Sequence, residues 1–133
     1  MERHNVVAPG FVPPRGYQDA VVVAGAGTWL VLGGHVAFDA ERRLLHPGDL
    51  LGQFRVVLRN LRATVESAGF AVEDLVKLVV HVTDVAAYRA SVKPLGAIWR
   101  EELGRHFPAM TLLGTTALME PGAVVEIDGL AAR

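Results

Sequence analysis

The sequence predicts a single α+β domain, and three observations support this prediction. From Leu50 to Ala68, apolar residues recur at intervals of three and four, as on one face of an α-helix. The next segment, Leu75–Thr83, is rich in β-branched residues, as strands are. The chain has 133 residues and is 51% hydrophobic, which suits one domain with a sizeable core. We therefore interpret residues 1–133 as one domain.

The predicted helix and the strand after it form the centre of this domain. Asp49 can cap the helix N-terminus, and Gly69 can end the helix, because glycine adopts a left-handed conformation at little cost. Gln53 lies off the apolar stripe, so we expect it to meet solvent or a partner chain. The stripe of the helix consists of Leu50, Phe54, Val57, Leu58, Leu61, Val65 and Ala68. The matching face of the strand consists of Val76, Leu78, Val80 and Val82.

The N-terminal third is predicted to hold an irregular segment and two strands. Residues 1–16 contain three prolines and two glycines, which predicts an irregular N-terminal arm. Val21–Ala24 and Thr28–Leu32 are apolar runs separated by a short glycine-rich turn, a pattern typical of a β-hairpin. Gly33 and Gly34 follow directly, and two glycines in a strand indicate a bulge or a close approach to the backbone.

The C-terminal half is predicted to add one helix and two strands. Asp84 can cap the helix, Pro94 predicts a kink or restart within it, and Gly104 can end it. Strands are expected over Ala109–Thr116 and Val124–Ala131. The predicted order is therefore β-β-α-β-α-β-β.

Two helices can cover only one face of such a sheet. The other face is then either solvated or buried by another copy of the chain. A mean hydropathy of +0.32 is high for a small monomer and favours another copy.

Composition excludes several classes of function. A formal net charge of −1 without a basic run argues against nucleic-acid binding through a basic patch. The absence of cysteine excludes disulfides, thiol nucleophiles and thiolate metal sites. The sequence shows no signal-peptide pattern and no apolar run of the roughly 20 residues that a membrane span needs. We therefore expect a cytoplasmic protein with no membrane partner.

Two residues stand out as candidates for acid–base chemistry. Glu126 lies between Val125 and Ile127 in an apolar strand, where burial could raise the pKa of a general base; the alternative is a solvent-facing glutamate. His35 follows the two glycines and could shuttle a proton, or it could be an ordinary exposed histidine. His81 is expected to serve in packing or at an interface.

Other chemistries have less support in the sequence. No two histidines have metal-ligand spacing, so we predict no metal site. The glycine pairs do not form a phosphate-binding loop. Arg15, Arg100 and Arg105 could each grip a carboxylate, although each could equally be a surface charge.

Several strings, in order and spacing, make the sequence resemble the Rid family (reactive intermediate deaminase, YjgF-type). The resemblance extends from about Gly16 to Ala131. The matching strings are Gly33-Gly34-His35 in the place of Ser-Gly-Gln, Gln53 with Asn60-Leu61, Ala68-Gly69, Thr83-Asp84, Pro108-Ala109-Met110-Thr111 in the place of Pro-Ala-Arg-Thr, and Val125-Glu126-Ile127.

The resemblance implies a chorismate-mutase-like fold, a homotrimer and a small-molecule site in the clefts between subunits. Deaminating members of the family hydrolyse imines and enamines to a keto acid and ammonia, without metal or other cofactor. By this resemblance Glu126 lies near the attacking water and is the catalytic residue. The substrate-binding residues it implies are Tyr17, Gly33, Gly34, His35, Met110 and Thr111.

The sequence departs from the family at the position of the carboxylate clamp. Met110 stands where the family has arginine, and a thioether cannot make the paired, charge-assisted bonds that hold a carboxylate. The family's serine and an asparagine are also replaced, by Gly33 and Val92. We therefore predict a hydrolase of imines, enamines or related compounds, acting on substrates other than the usual 2-aminoacrylate type. The alternative is a trimer that binds a metabolite or a partner protein without chemistry.

Overall fold

A computed structural model describes residues 1–133, which form six strands and three helices. The 3₁₀ turn Val72–Asp74 leads into the fourth strand. The elements in chain order are β1 (Glu2–Val6), β2 (Ala20–Ala24), β3 (Trp29–His35), α1 (Leu50–Ser67), β4 (Leu75–Val82), α2 (Val85–Ala90), α3 (Val92–Leu103), β5 (Ala109–Gly114) and β6 (Val125–Ala132).

Four strands form a mixed sheet in the order β3-β6-β4-β5. Strands β4 and β5 are parallel, whereas β6 runs antiparallel to both β3 and β4. Helices α1 and α3 pack together over one face, which we call the covered face. The predicted α+β class and the placement of the helices on one face are therefore confirmed. Side chains that reach full burial on α1 and the covered face include Phe54, Val57, Leu58, Leu61, Val65, Leu78, Val80, Val125 and Ile127.

The ends of α1 form as their residues predict. The Asp49 side chain accepts a hydrogen bond from the Gly52 N–H at 3.1 Å, which satisfies a free donor of the first turn. At the C-terminus Gly69 has φ +80°. Its N–H donates to the Glu66 carbonyl and the Phe70 N–H donates to the Val65 carbonyl, which is the Schellman arrangement.

Gln53 is fully buried, so the expectation that it meets solvent or a partner was wrong. Its Nε2 donates to the carbonyls of His46 at 2.9 Å and Gly122 at 2.8 Å, and its Oε1 accepts from the Val124 N–H at 2.8 Å. The Gln53 side chain thus provides hydrogen-bond partners for three backbone groups, one in the loop before α1 and two in the loop before β6. It joins the start of α1 to the segment entering β6.

The N-terminal region differs from the prediction in two ways. The predicted irregular arm over residues 1–16 contains β1, and β2 pairs with β1 instead of forming the predicted hairpin with β3. Every residue of β1 is exposed, so its sequence has no alternation between buried and exposed residues that could reveal a strand. This two-stranded ribbon is tied to the rest by Arg3, which forms an ion pair with Asp74, and by the Gln18 N–H, which donates to the Pro108 carbonyl.

The second helical segment is interrupted, as Pro94 predicts. Helix α2 starts after Asp84, whose side chain accepts from the Ala87 N–H at 2.9 Å. The chain leaves helical geometry at Ser91 and restarts as α3, so Pro94 falls in a first turn, where its missing N–H costs nothing. Gly104, with φ +71°, ends α3.

None of the helices has both the length and the apolarity that a membrane span requires.

Replacing Gln53 with alanine should lower the free energy of unfolding by about 2–4 kcal/mol, because three buried backbone groups lose their partner. Urea unfolding would measure this change. Gln18→Ala is the matched control, since the Gln18 side chain makes no hydrogen bond, and it should stay within about 0.5 kcal/mol of the parent. Equal unfolding midpoints for the two variants would contradict the bridging role of Gln53.

Candidate functional site

The predicted site residues lie on both faces of the four-stranded sheet. Partners in register share a face, so Glu126 lies with His81, and Thr111 lies with Val79, on the side away from the helices. We call this side the open face. Met110 is in register with buried Leu78 and packs against the core on the covered face. A single chain therefore does not bring Glu126 and Met110 together.

Glu126 lies against the backbone of Gly34. A Cβ added at Gly34 would overlap the Glu126 carboxylate, at 2.8 Å from Cδ and 3.1 Å from Cγ. The register of β3 with β6 shifts between Leu32 and His35, so the bulge and close approach predicted from the two glycines are present. A Cβ at Gly33 would meet nothing within 4 Å. Gly34 is thus the glycine that admits the carboxylate.

The carboxylate of Glu126 is half-buried and forms no hydrogen bond or ion pair within the chain. Its neighbour His81 contacts the backbone carbonyl of Glu126 through Nδ1 at 3.3 Å, and the same Nδ1 lies 3.8 Å from Asp128 Oδ2. Both carboxylate oxygens of Glu126 therefore remain available to accept a proton or a hydrogen bond from a water or ligand.

His35 faces helix α1 and not Glu126. It is in register with buried Ile127 on the covered face. Its Nδ1 lies 2.8 Å from the Gly33 carbonyl oxygen and its Nε2 lies 2.9 Å from Thr64 Oγ1. The ring is thus held between β3 and α1, beside a depression that Gly33 and Gly34 also line. The structure does not place this imidazole beside the candidate base.

Thr111 and Lys77 form a pair of polar side chains on the open face. Only Thr111 was among the site residues predicted from the sequence. Lys77 Nζ donates to Thr111 Oγ1 at 2.8 Å, which connects β4 to β5. Lys77 was missed because it stands in an otherwise apolar strand. Its position in the strand could have identified it, because successive side chains of a strand point to opposite faces. Lys77, Val79 and His81 alternate with the buried residues of β4 and therefore lie on the open face.

The open face also exposes large apolar side chains. Val31 is 76% exposed, Trp29 is 51% exposed and Leu113 is 39% exposed. Trp29 and Val31 lie on the edge strand β3, and Leu113 lies on the opposite edge strand β5. Exposed apolar groups spread across an uncovered sheet face are typical of a surface that contacts another protein.

Met110 and Tyr17 line a cavity of about 630 Å³ between β5, α3 and the segment that precedes β2. Aromatic rings form much of its wall. Trp99 and Phe107 stack with their centroids 5.9 Å apart, and Phe54 meets Tyr88 edge to face at 6.4 Å. The remaining wall residues are Arg15, Gly16, Val92, Leu95, Gly96, Arg100 and Leu112. The volume and the apolar wall are those of a small-molecule site.

Tyr88 is the wall residue with a shifted pKa. Burial raises the pKa of its hydroxyl, because desolvation disfavours the charged form. The hydroxyl makes no hydrogen bond within the chain, so it is free to donate to a ligand in the cavity.

No group of three or more histidine, aspartate or glutamate side chains is arranged to hold a metal ion.

Known proteins resemble this chain along its whole length. The family model described as Endoribonuclease L-PSP matches residues 10–133. A RutC family protein of Pyrococcus horikoshii is 26% identical over 106 residues, which cover 80% of each chain.

Two solved structures share the fold. YyfB of Yersinia pestis, described as a protein of unknown function of the conserved Rid family, superposes with a TM-score of 0.86 at 29% identity over 100% of both chains. RidA of an Antarctic Psychrobacter superposes with a TM-score of 0.69 at 28% identity, covering 97% of this chain and 94% of its own. With its family model matched over nearly the whole sequence, the chain belongs to the Rid (YjgF, RutC) family.

Proposed function

We propose that the protein is a Rid-type hydrolase that deaminates an imine or enamine in a cleft between copies of the chain. The observation that carries the proposal is the position of Glu126. Its carboxylate has no partner in the chain and lies over the backbone of Gly34, at the bulge in β3. A half-buried, unpaired carboxylate suits a general base.

The chemistry that this carboxylate supports is hydrolysis of a carbon–nitrogen double bond. Glu126 accepts a proton from water as the water oxygen attacks the imine carbon, and it returns this proton to the nitrogen. Glu126 then carries the hydroxyl proton of the resulting aminoalcohol to the same nitrogen, which makes ammonia the leaving group. The tetrahedral aminoalcohol then collapses, the carbon–nitrogen bond breaks, and a carbonyl compound and ammonia leave. Thr111, which Lys77 holds in place, offers a hydroxyl on the same face to orient the water or the leaving group.

A second copy of the chain is needed to complete the cleft. Glu126 lies on the open face, whereas Met110 and Tyr17 line the cavity on the other side of the sheet. Burial of the exposed apolar side chains of the open face against another copy would bring residues of the two groups together across a subunit boundary. We propose a homotrimer, as the family resemblance implies, and a cytoplasmic location.

The preferred substrate is expected to differ from the usual 2-aminoacrylate type. Met110 supplies no charge-assisted bond for a carboxylate, a loss of about 2–3 kcal/mol or roughly two orders of magnitude in rate. Gly33 offers no hydroxyl where the family has serine. Both replacements remove a polar group that the family uses.

A non-catalytic binding trimer is the second candidate. The replacements at Gly33, Val92 and Met110 favour it, because each removes a polar group from the site that the resemblance implies. In this case the trimer would hold a stable metabolite or a partner protein in the same clefts.

Cleavage of RNA, the activity in the description of the family model, has less support. A formal net charge of −1 gives the chain no overall electrostatic attraction for a phosphate backbone. We therefore do not propose it for this chain.

Glu126→Ala should lower ammonia release from freshly generated imines by at least about 100-fold, because the general base is removed. The assembly, measured by light scattering, should not change. Asp128→Asn is the matched control, since Asp128 lies on the same strand and face, and it should keep most of the activity. Retained turnover in the Glu126 variant would refute the catalytic role.

Met110→Arg should raise kcat/KM for short imines that carry a carboxylate by roughly 10- to 100-fold, because a guanidinium can grip two oxygens. Matched imines without a carboxylate should show no such gain. Release of ammonia and keto acid, measured side by side for parent and variant, tests this. If neither protein acts on any imine of the panel, the binding function is favoured instead.

Val31→Asp should weaken self-association, because a charge would be buried against the partner copy. The expected result is a shift towards monomer in light scattering coupled to gel filtration. Val12→Asp is the control, since Val12 is 88% exposed and lies outside the sheet. An unchanged mass for the Val31 variant would exclude the open face as the interface.

A further inference from the structure

We propose that the cavity between β5 and α3 binds an aromatic carboxylate, with its ring among the aromatic side chains and its anion between Arg15 and Arg100. This inference rests on the proposed function, because it names the substrate class of that site. The carboxylate would be bound by the guanidinium groups of Arg15 and Arg100. Neither arginine is at position 110, where the family has its carboxylate-binding arginine.

The side chains that line the cavity favour an aromatic ligand. Trp99 and Phe107 present a stacked pair, and Tyr17 and Tyr88 add two further rings. Four aromatic side chains on one wall favour a planar apolar ligand, through stacking and edge-to-face contacts. Met110 extends this apolar surface with a side chain that adapts to the shape of a ring.

The two arginines on the wall have no partner in the chain. The side chains of Arg15 and Arg100 form neither a hydrogen bond nor an ion pair, and no acidic residue lines the cavity. The arginines that pair with carboxylates lie elsewhere: Arg3, Arg43, Arg55, Arg59 and Arg62. Two unpaired guanidinium groups beside an apolar cavity are suited to bind a carboxylate with charge-assisted bonds.

The acidic neighbours of Arg100 are engaged away from the cavity. Glu101 and Glu102 follow it directly in α3, but Arg55 binds both carboxylates and Arg59 binds that of Glu102. Hydrogen bonds to these two glutamates raise the pKa of Arg55. The positive charge of Arg100 is therefore not neutralised by its sequence neighbours.

Gly96 leaves room for the guanidinium of Arg100 at the wall of the cavity. It lies one helical turn before Arg100 in α3, and a Cβ at Gly96 would stand 3.7 Å from Arg100 Nη1. The guanidinium thus reaches back over a helix position that carries no side chain. A larger residue at position 96 would displace this guanidinium and narrow the cavity. It would not break the helix, because glycine is the poorer helix former.

In the proposed reaction, such a ligand is the imine of an aromatic 2-oxo acid. Water adds across its carbon–nitrogen double bond, and the products are the aromatic 2-oxo acid and ammonia. The substrate keeps its carboxylate throughout, so the arginines hold both substrate and product.

Calorimetric titration with stable probes tests the ligand class without requiring turnover. The probes are 3-phenylpropanoate, its neutral amide 3-phenylpropanamide, and pyruvate, which has the carboxylate but no ring. The parent protein should bind 3-phenylpropanoate at least roughly tenfold more tightly than either other probe. Equal affinity for the acid and its amide, or no saturable binding of the acid, would overturn the proposal.

Variants of the wall test the residues named. Arg15→Gln and Arg100→Gln should each weaken binding of 3-phenylpropanoate by roughly 10- to 100-fold and leave binding of the amide unchanged. Gly96→Leu should abolish binding of both probes while the protein stays folded. Arg89→Gln is the matched control, since Arg89 is an exposed arginine outside the cavity, and it should change affinity by less than about twofold. Unchanged affinity in both the Arg15 and Arg100 variants would overturn the proposal.

The two proposals can fail separately. Selective binding of 3-phenylpropanoate without turnover of aromatic imines would support the ligand class and count against the hydrolase. Turnover of imines without any preference for an aromatic carboxylate would support the hydrolase and overturn the ligand class.

Discussion

The structure depends on the burial of α1 against the covered face of the sheet. Helix α1 alone contributes five fully or almost fully buried apolar side chains to the core, Phe54, Val57, Leu58, Leu61 and Val65. At about 25 cal/mol for each Å² of apolar surface removed from water, side chains of this kind provide the main driving force for folding. Helix α3 packs beside α1 over the same face. The other face stays open as a direct consequence, because the chain has no third long helix to cover it.

This arrangement places the candidate site residues on the two faces of the sheet. The open face carries Glu126 at the bulge, and the margin of the covered face, where β5 meets α3, carries the aromatic cavity. Close contact between Glu126 and Gly34 is possible only because position 34 has no side chain. The geometry of the candidate base is therefore set by a glycine on the neighbouring strand.

Local patterns predicted the elements with strong periodicity. Helix α1, its caps and β4 follow from spacing that the burial of one face imposes, and the restart of the second helix follows from Pro94. The role of Gln53 could not be predicted in this way, because its partners Gly122 and Val124 lie about 70 residues away. Strand β2 was predicted, but β1 and its pairing with β2 left no signal, since β1 is exposed along its whole length. The sequence of β6 was enough to select Glu126 as a candidate. The orientation of His35 towards α1 could not be predicted, because the bulge shifts the register of β3 just before His35.

The cavity joins segments from distant parts of the chain. Arg15 and Tyr17 come from the segment before β2, which the bond from Gln18 to Pro108 fastens to the entry of β5. Contacts of such long sequence separation have to overcome a loop-closure entropy that local contacts avoid. The complete wall of the cavity requires these distant segments in their native positions, so a molecule that binds there recognises the folded chain. Such a ligand acts as a folding stabiliser whose effect grows with the logarithm of its concentration, and abundance of the protein inside a cell would then follow the supply of that ligand.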